Sequence, residues 1–171
     1  MTYLSKTFIL VAGLTLSACS QPDRFGDGNT TDLNAAGAGG VVAGSASDPT
    51  SPLYFQQAVG DRVLFAVDQS TLSPTAMATL DGQARWLMTN VEYNGIIEGH
   101  ADEQGTREYN LALGARRANA VSEYLIGKGV SPARLKVISY GKERPLEICS
   151  EESCYAKNRR AVTVISAVPT S

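Results

Sequence analysis

The sequence predicts an α/β fold: a two-layer sandwich with a small mixed four-stranded sheet and helices on one face. Three observations predict it. β-rich runs and helical periodicities alternate from about residue 60 onward, strand, helix, strand, helix, strand, loop, strand. Cap and turn residues punctuate each change of period. The composition is that of a soluble domain with extras: of 171 residues, 43% are hydrophobic and 19% charged, with a formal net charge of −2. The same balance excludes nucleic-acid binding, which needs a concentrated excess of Lys and Arg.

Each element follows from its residues. "AVGDRVLFAV" carries the first strand, bounded by Gly60 and Asp68. Ser73 and Pro74 read as an N-cap and a first helical residue. Behind them Met77, Leu80, Ala84, Leu87 and Met88 recur at three- and four-residue spacing, which predicts one inward helix face. "EYNGIIEG" is a second strand around Ile96 and Ile97. A long helix follows from about Thr106 to Ile126, with Leu111, Gly114, Ala118, Val121 and Leu125 as its buried seam. The small residues of that seam let it lie close to a sheet. Gly127 and Gly129 stop it, and Ser131-Pro132 starts the next turn. "RLKVISYG" is the third strand and, after a cysteine loop, "RRAVTVISAV" is the fourth.

The first residues differ in kind. "MTYLSKTFILVAGLTLSAC" has one basic residue, Lys6, an apolar run from Phe8 to Leu16, and small residues before a cysteine. That is a secretory signal pattern, set aside from the fold. Its end, Leu16-Ser17-Ala18-Cys19, resembles the lipobox of bacterial lipoproteins, which implies cleavage after residue 18 and acylation of Cys19. Several acyl chains anchor stably where one binds marginally, at roughly 0.8 kcal/mol per buried CH2. Ser20, in place of the Asp that marks inner-membrane retention, points to outer-membrane lipid and a domain facing the periplasm.

From Ser20 to about Ser51 the chain is rich in Gly, Ala, Ser, Asp and Asn and lacks periodicity. Such a segment buries too little surface to offset its ordering entropy. It reads as a flexible tether with an r.m.s. reach on the order of 30 Å. The predicted organisation is a signal peptide over 1–18, a lipidated N-terminus and linker over 19–52, and a folded domain over 53–171. No stretch after residue 20 approaches the roughly 20 apolar residues of a membrane-spanning helix. Setting Cys19 aside leaves Cys149 and Cys154, spaced "CSEESC", in a chain bound for an oxidising compartment. A disulfide is expected, stabilising by on the order of 2 kcal/mol because the loop is short.

The densest chemistry is "GHADEQGTREYNLALGARRANAV". Asp102 precedes a helix N-terminus, where an acid is favoured. Asn110, Leu113 and Arg117 follow i, i+3, i+7 spacing and share a helix face. The ends of strands one and two are expected to neighbour each other in such a sheet, which brings Asp68 to the same rim. Asp102 and Arg117 can then bracket a pocket suited to a zwitterion, whose carboxylate meets a planar guanidinium. Spacing alone leaves a second reading open, in which these charges form a salt bridge and a cap that hold the domain together. A catalytic reading finds no support. His100, Asp102 and Glu103 lack a second histidine to complete a metal shell, and G-x-S-x-G and a free thiol are both missing. His100 is expected to be a structural hydrogen-bonder, with no metal or cofactor.

"EGHADEQGTREYNLALGARRANAVSEYLIGKGV", "ISYGKERP" and "KNRRAV" resemble the OmpA C-terminal-like domain, over about residues 60 to 166. The resemblance implies a non-enzymatic domain that grips meso-diaminopimelate in the stem peptide of peptidoglycan. Carried over by motif position, the ligand-holding residues are Asp68, Asp102, Thr106, Asn110, Leu113 and Arg117. Asn158 to Arg160 form a family signature, mainly structural and at the pocket rim. Val67 stands where an aromatic residue often lies. The resemblance also implies the Tol machinery of cell division, with TolB and TolA as partners. The competing classes are a cell-wall enzyme and a protein-only or motor-stator module; a stator needs a membrane helix.

Overall fold

The computed structural model describes residues 41–167. The signal segment 1–18, Cys19 and the tether as far as residue 40 lie outside the described residues. Four strands form one sheet in the order β1-β4-β2-β3: β1 is Arg62–Leu64, β2 Tyr93–His100, β3 Leu135–Gly141 and β4 Arg160–Ala167. β4 runs antiparallel to both β1 and β2, whereas β2 and β3 are parallel. A parallel pair needs a long crossover, supplied by α3 (Arg107–Gly127). α2 (Pro74–Thr89) joins β1 to β2, and the short α4 (Glu152–Asn158) precedes β4. A first turn, α1 (Pro52–Tyr54), continues as a π-helix through Phe55–Gly60.

The caps form where the sequence places them. Ser73 Oγ accepts from the Ala76 N–H at 3.1 Å, and Thr106 Oγ1 from the Tyr109 N–H at 3.2 Å. At the other end of α3, Val130 N–H bonds the Leu125 carbonyl and Gly129 N–H the Ile126 carbonyl, with Gly129 at φ +106°. This is a Schellman ending, which needs a residue at ease in the left-handed region.

Both long helices cover the same face of the sheet. Thr163 of β4 donates to Gln83 Oε1 of α2 at 2.8 Å, and Ser139 of β3 donates to the Leu111 carbonyl of α3 at 2.6 Å. Leu80, Leu87, Ile97, Val121 and Leu125 fill the space between the layers. α3 lies almost against β2 because two glycines meet. A Cβ on Gly99 would stand 1.8 Å from the Gly114 carbonyl oxygen, and one on Gly114 2.5 Å from Ser139 Oγ.

Several sequence expectations are corrected in detail. Met77 and Met88 are exposed, and the buried face of α2 carries Gln83 and Trp86 instead. Their polar atoms are satisfied, which is what permits burial: Gln83 Nε2 donates to the Gly60 carbonyl at 2.7 Å and Trp86 Nε1 to the Pro49 carbonyl at 2.7 Å. In α3 the seam runs through Leu113, not Leu111, which is exposed. β1 spans three residues, and its neighbour is β4, not β2. The cysteine loop runs into α4, a helix that lacks an apolar period long enough to announce itself. Ordered chain also begins ahead of residue 53. Asp48 accepts from Gly44 and Thr50 N–H groups, and buried Ser51 donates to the Ser45 carbonyl at 2.6 Å.

His100 is buried at 2% exposure, with its ring packed on Tyr140 at 5.6 Å between centroids. Neither ring nitrogen has a hydrogen-bond partner, so the hydrogen-bonding role expected for it is not filled. Burial, with Arg160 and Arg144 nearby, pushes its pKa down to about 4.

Two predictions follow from this packing. Gly99→Ala should lower stability by about 3 kcal/mol, because the new methyl meets backbone that cannot move aside. Gly127→Ala, where nothing lies within 4 Å, should raise it by about 0.5 kcal/mol; urea unfolding of both variants checks the contrast. The second concerns pH. Unfolded histidine binds a proton near pH 6.5 and the folded His100 only near 4, so stability falls as pH drops through that window. The loss is on the order of 2–3 kcal/mol by pH 4.5. His100→Phe should remove that component while keeping the stack on Tyr140, and an unchanged difference between pH 7 and 4.5 would refute it.

Candidate functional site

Two loops at one end of the sheet make the site. One leaves β1 and runs through residues 65–69, and the other joins β2 to α3 through residues 101–106. Asp68 sits at φ +56°, a conformation that Asp tolerates better than most residues and that turns the first loop sharply. The second loop is held by side chains from α3 and from the segment after β3. Asn110 Nδ2 donates to the Gln104 carbonyl at 2.7 Å, and Lys142 Nζ reaches the carbonyls of Glu103 and Gly105 at 3.2 and 2.7 Å. Asp102 Oδ1 accepts from the Gln104 N–H at 3.2 Å, a local turn within the loop.

Asp68, Asp102, Asn110 and Leu113 line one cavity of about 320 Å³, together with Val67, Gln104, Gly105 and Tyr109. Four of the six residues implied by the resemblance are thus brought together. Thr106 stands at the edge of the group, with its hydroxyl engaged in capping α3.

Arg117 is placed differently. It is fully buried and absent from the cavity lining. Its Nε donates to the Gln69 carbonyl at 2.8 Å, Nη1 to the His100 carbonyl at 2.8 Å and Nη2 to the Ala66 carbonyl at 3.1 Å. Its guanidinium carbon lies 5.3 Å from the centroid of the Phe65 ring. Burial lowers its pKa to about 10, against the pull of Asp102, so it remains a cation at neutral pH. Arg117 ties the two loops together from beneath and puts a positive charge under the carboxylates. His100 serves the site through its main-chain carbonyl, while its ring packs away on Tyr140.

Two residues that spacing did not single out complete the geometry. Arg159 Nη1 pairs with Asp102 Oδ2 at 3.2 Å, and its Nη2 pairs with Glu152. Tyr109 Oη donates to Asp68 Oδ1 across the cavity mouth, and that bond raises the phenol pKa. Arg159 was visible only as part of "NRR", because its partner is 57 residues away in the chain. Tyr109 adjoins Asn110 on α3, yet an exposed aromatic near a helix start carries no signal of its own. The site therefore holds two carboxylates, each already engaged by a neighbour, with Arg117 and Arg159 supplying the opposing charge. Among the described residues, no group of three or more His, Cys, Asp or Glu side chains is placed to hold a metal. No helix of those residues is long and apolar enough to cross a membrane.

Known proteins share both sequence and fold with this chain. The OmpA family model matches residues 64–159. A peptidoglycan-associated lipoprotein of Mesorhizobium japonicum is 48% identical over 157 residues, covering 92% of this chain and 89% of that protein. One of Legionella pneumophila is 38% identical, covering 95% of each. The crystal structure of the peptidoglycan-associated lipoprotein from Burkholderia pseudomallei superposes with a TM-score of 0.63 at 37% identity, over 71% of this chain and 98% of that one. The C-terminal domain of Helicobacter pylori MotB, at 23% identity, TM-score 0.59 and 63% of this chain against 85% of its own, shares the fold. By these measures the chain belongs to the OmpA family and, within it, to the peptidoglycan-associated lipoproteins.

Proposed function

We propose that this chain ties the outer membrane to the cell wall by gripping the diaminopimelate of the peptidoglycan stem peptide. The observation that carries it is the convergence of Asp68 and Asp102 on one cavity above the buried charge of Arg117. An ammonium group settles between the two carboxylates. The neighbouring carboxylate of the same amino-acid centre is drawn by the positive charges of the buried Arg117 and of Arg159, which pairs with Asp102. Asn110 and Thr106 hold the cavity wall, and Leu113 gives it an apolar side. The role is binding, not catalysis, and needs no cofactor.

The names of the relatives, peptidoglycan-associated lipoprotein, support wall association and a lipid anchor. Within this reading Cys19 carries the acyl chains, residues 20–40 link anchor to domain, and the domain faces the periplasm. The chain acts in the Tol–Pal system of envelope integrity and division, with TolB and TolA as partners.

Asp68→Asn and Asp102→Asn should each reduce co-sedimentation with purified peptidoglycan about tenfold or more, the size expected for losing one charge-assisted contact. Circular dichroism should show the helices retained. Both variants pelleting like the parent would sink the assignment. Arg117→Ala is a poor probe of binding, because it leaves three carbonyls without their donor. It should destabilise by about 3 kcal/mol or more. Cys19→Ala should move the protein from the membrane fraction to the soluble periplasm, and intact mass of the mature N-terminus reads the acylation directly.

A further inference from the structure

Cys149 and Cys154 are joined by a disulfide, with Cα atoms 6.1 Å apart. The segment it closes reaches the candidate pocket by two separate routes. In the first turn of α4, Glu152 pairs with Arg159, whose Nη1 lies 3.2 Å from Asp102 Oδ2. In the second route, Tyr155 Oη and Ser150 Oγ meet on Glu103 Oε1 at 2.7 and 3.3 Å, one residue along the loop from Asp102. The disulfide therefore holds in place three side chains, Ser150, Glu152 and Tyr155, that brace the loop carrying Asp102. α4 is seven residues long, too short to persist without tertiary help. The cysteines are half-buried between exposed neighbours, Ile148, Ser150, Glu151 and Ser153, so a thiolate can approach them.

We propose that this disulfide is a redox control on the pocket: reduction frees the start of α4, slackens both braces and weakens ligand binding. The proposal rests on the wall-binding reading above. The reductant is a dithiol. Its thiolate attacks one Sγ, the S–S bond breaks, and the other sulfur leaves with the electron pair. The second thiol of the reductant, as its thiolate, then attacks the reductant's own sulfur in the mixed disulfide, and the remaining cysteine sulfur leaves with its electron pair. Two electrons and two protons end on Cys149 and Cys154, and the reductant leaves as its own disulfide.

The test uses the full lipidated chain in detergent, oxidised or treated with dithiothreitol, with its thiol content titrated. The probe is a stem peptide containing meso-diaminopimelate. Kd should rise about five- to tenfold on reduction, as expected for loosening one buried charge-assisted contact. The Cys149→Ser/Cys154→Ser variant should match the reduced protein and ignore dithiothreitol. Glu103→Gln, which cuts one brace only, should give a smaller rise in the oxidised protein. Amide exchange over residues 102–106 should speed up on reduction with or without peptide. Equal Kd in thiol-verified oxidised and reduced protein overturns the proposal, and so does global loss of helical signal on reduction. If the oxidised protein binds no peptide, the wall-binding reading falls instead. The exchange measurement then decides the coupling, and unchanged rates over 102–106 overturn it.

Discussion

The buried guanidinium of Arg117 is the interaction on which the site depends. It comes from the inner face of α3 and spends its donors on three main-chain carbonyls, two in the loop after β1 and one at the end of β2. These loops belong to strands that do not touch, because β4 lies between them. Without a common donor, nothing else on α3 would bring Ala66, Gln69 and His100 to one point. A neutral side chain could not do this at comparable strength, since charged donors make the stronger hydrogen bonds. A lysine would supply one point charge where a planar fork serves three directions. Asp68 and Asp102 share a cavity as a consequence of that knot.

The knot requires α3 to lie close to the sheet, and Gly99 against Gly114 provides the closeness. From this close-lying helix the guanidinium of Arg117 meets the three carbonyls at 2.8, 2.8 and 3.1 Å. With the helix drawn in, Ser139 also reaches the Leu111 carbonyl and the end of β3 passes directly beneath α3. Gly141 shows the same constraint: a Cβ there would meet the Leu111 nitrogen at 2.8 Å. Three glycines thus do what a larger apolar interface does elsewhere in the domain. They exchange side-chain packing for backbone proximity, and the proximity is what the site uses.

Much of this was legible in the residues, and what was not has a common cause. Ser73-Pro74, Thr106 and the Gly127–Gly129 ending are local signals, and each marks its boundary correctly. The apolar period departs from the buried faces at Leu111, Met77 and Met88, which are exposed, while Leu113, Gln83 and Trp86 are buried. A buried Gln83 or Trp86 depends on a distant partner, and no periodicity reports a hydrogen bond to Gly60 or Pro49. The same limit applies to the site. Asp102 and Arg117 stood out as a charged pair fifteen residues apart, yet their direct partners proved to be Arg159 and three carbonyls. The spacing identified the residues that matter, while the long-range contacts decided which atoms they touch. A cap and a salt bridge are both present, but with other partners than the spacing put forward: Thr106 caps α3, and Asp102 pairs with Arg159 instead of Arg117.

That double use bears on how tightly such a site can bind. Asp102 already faces Arg159, and Asp68 already accepts from Tyr109, so an incoming ammonium competes with contacts the protein has made for itself. Each exchange returns less than a fresh ion pair would, because the existing partner must be loosened or shared. Pre-paired carboxylates are also held in place by the fold, which spares a ligand the work of organising them. Under the proposed wall binding, such a site is a rigid clamp of moderate strength. For a domain held near its ligand by the proposed lipid anchor, moderate strength suffices, since effective concentration multiplies a modest affinity. Under the proposed wall binding, the Asp102–Arg159 salt bridge tunes the grip, and the stability it lends to the fold comes from the same contact.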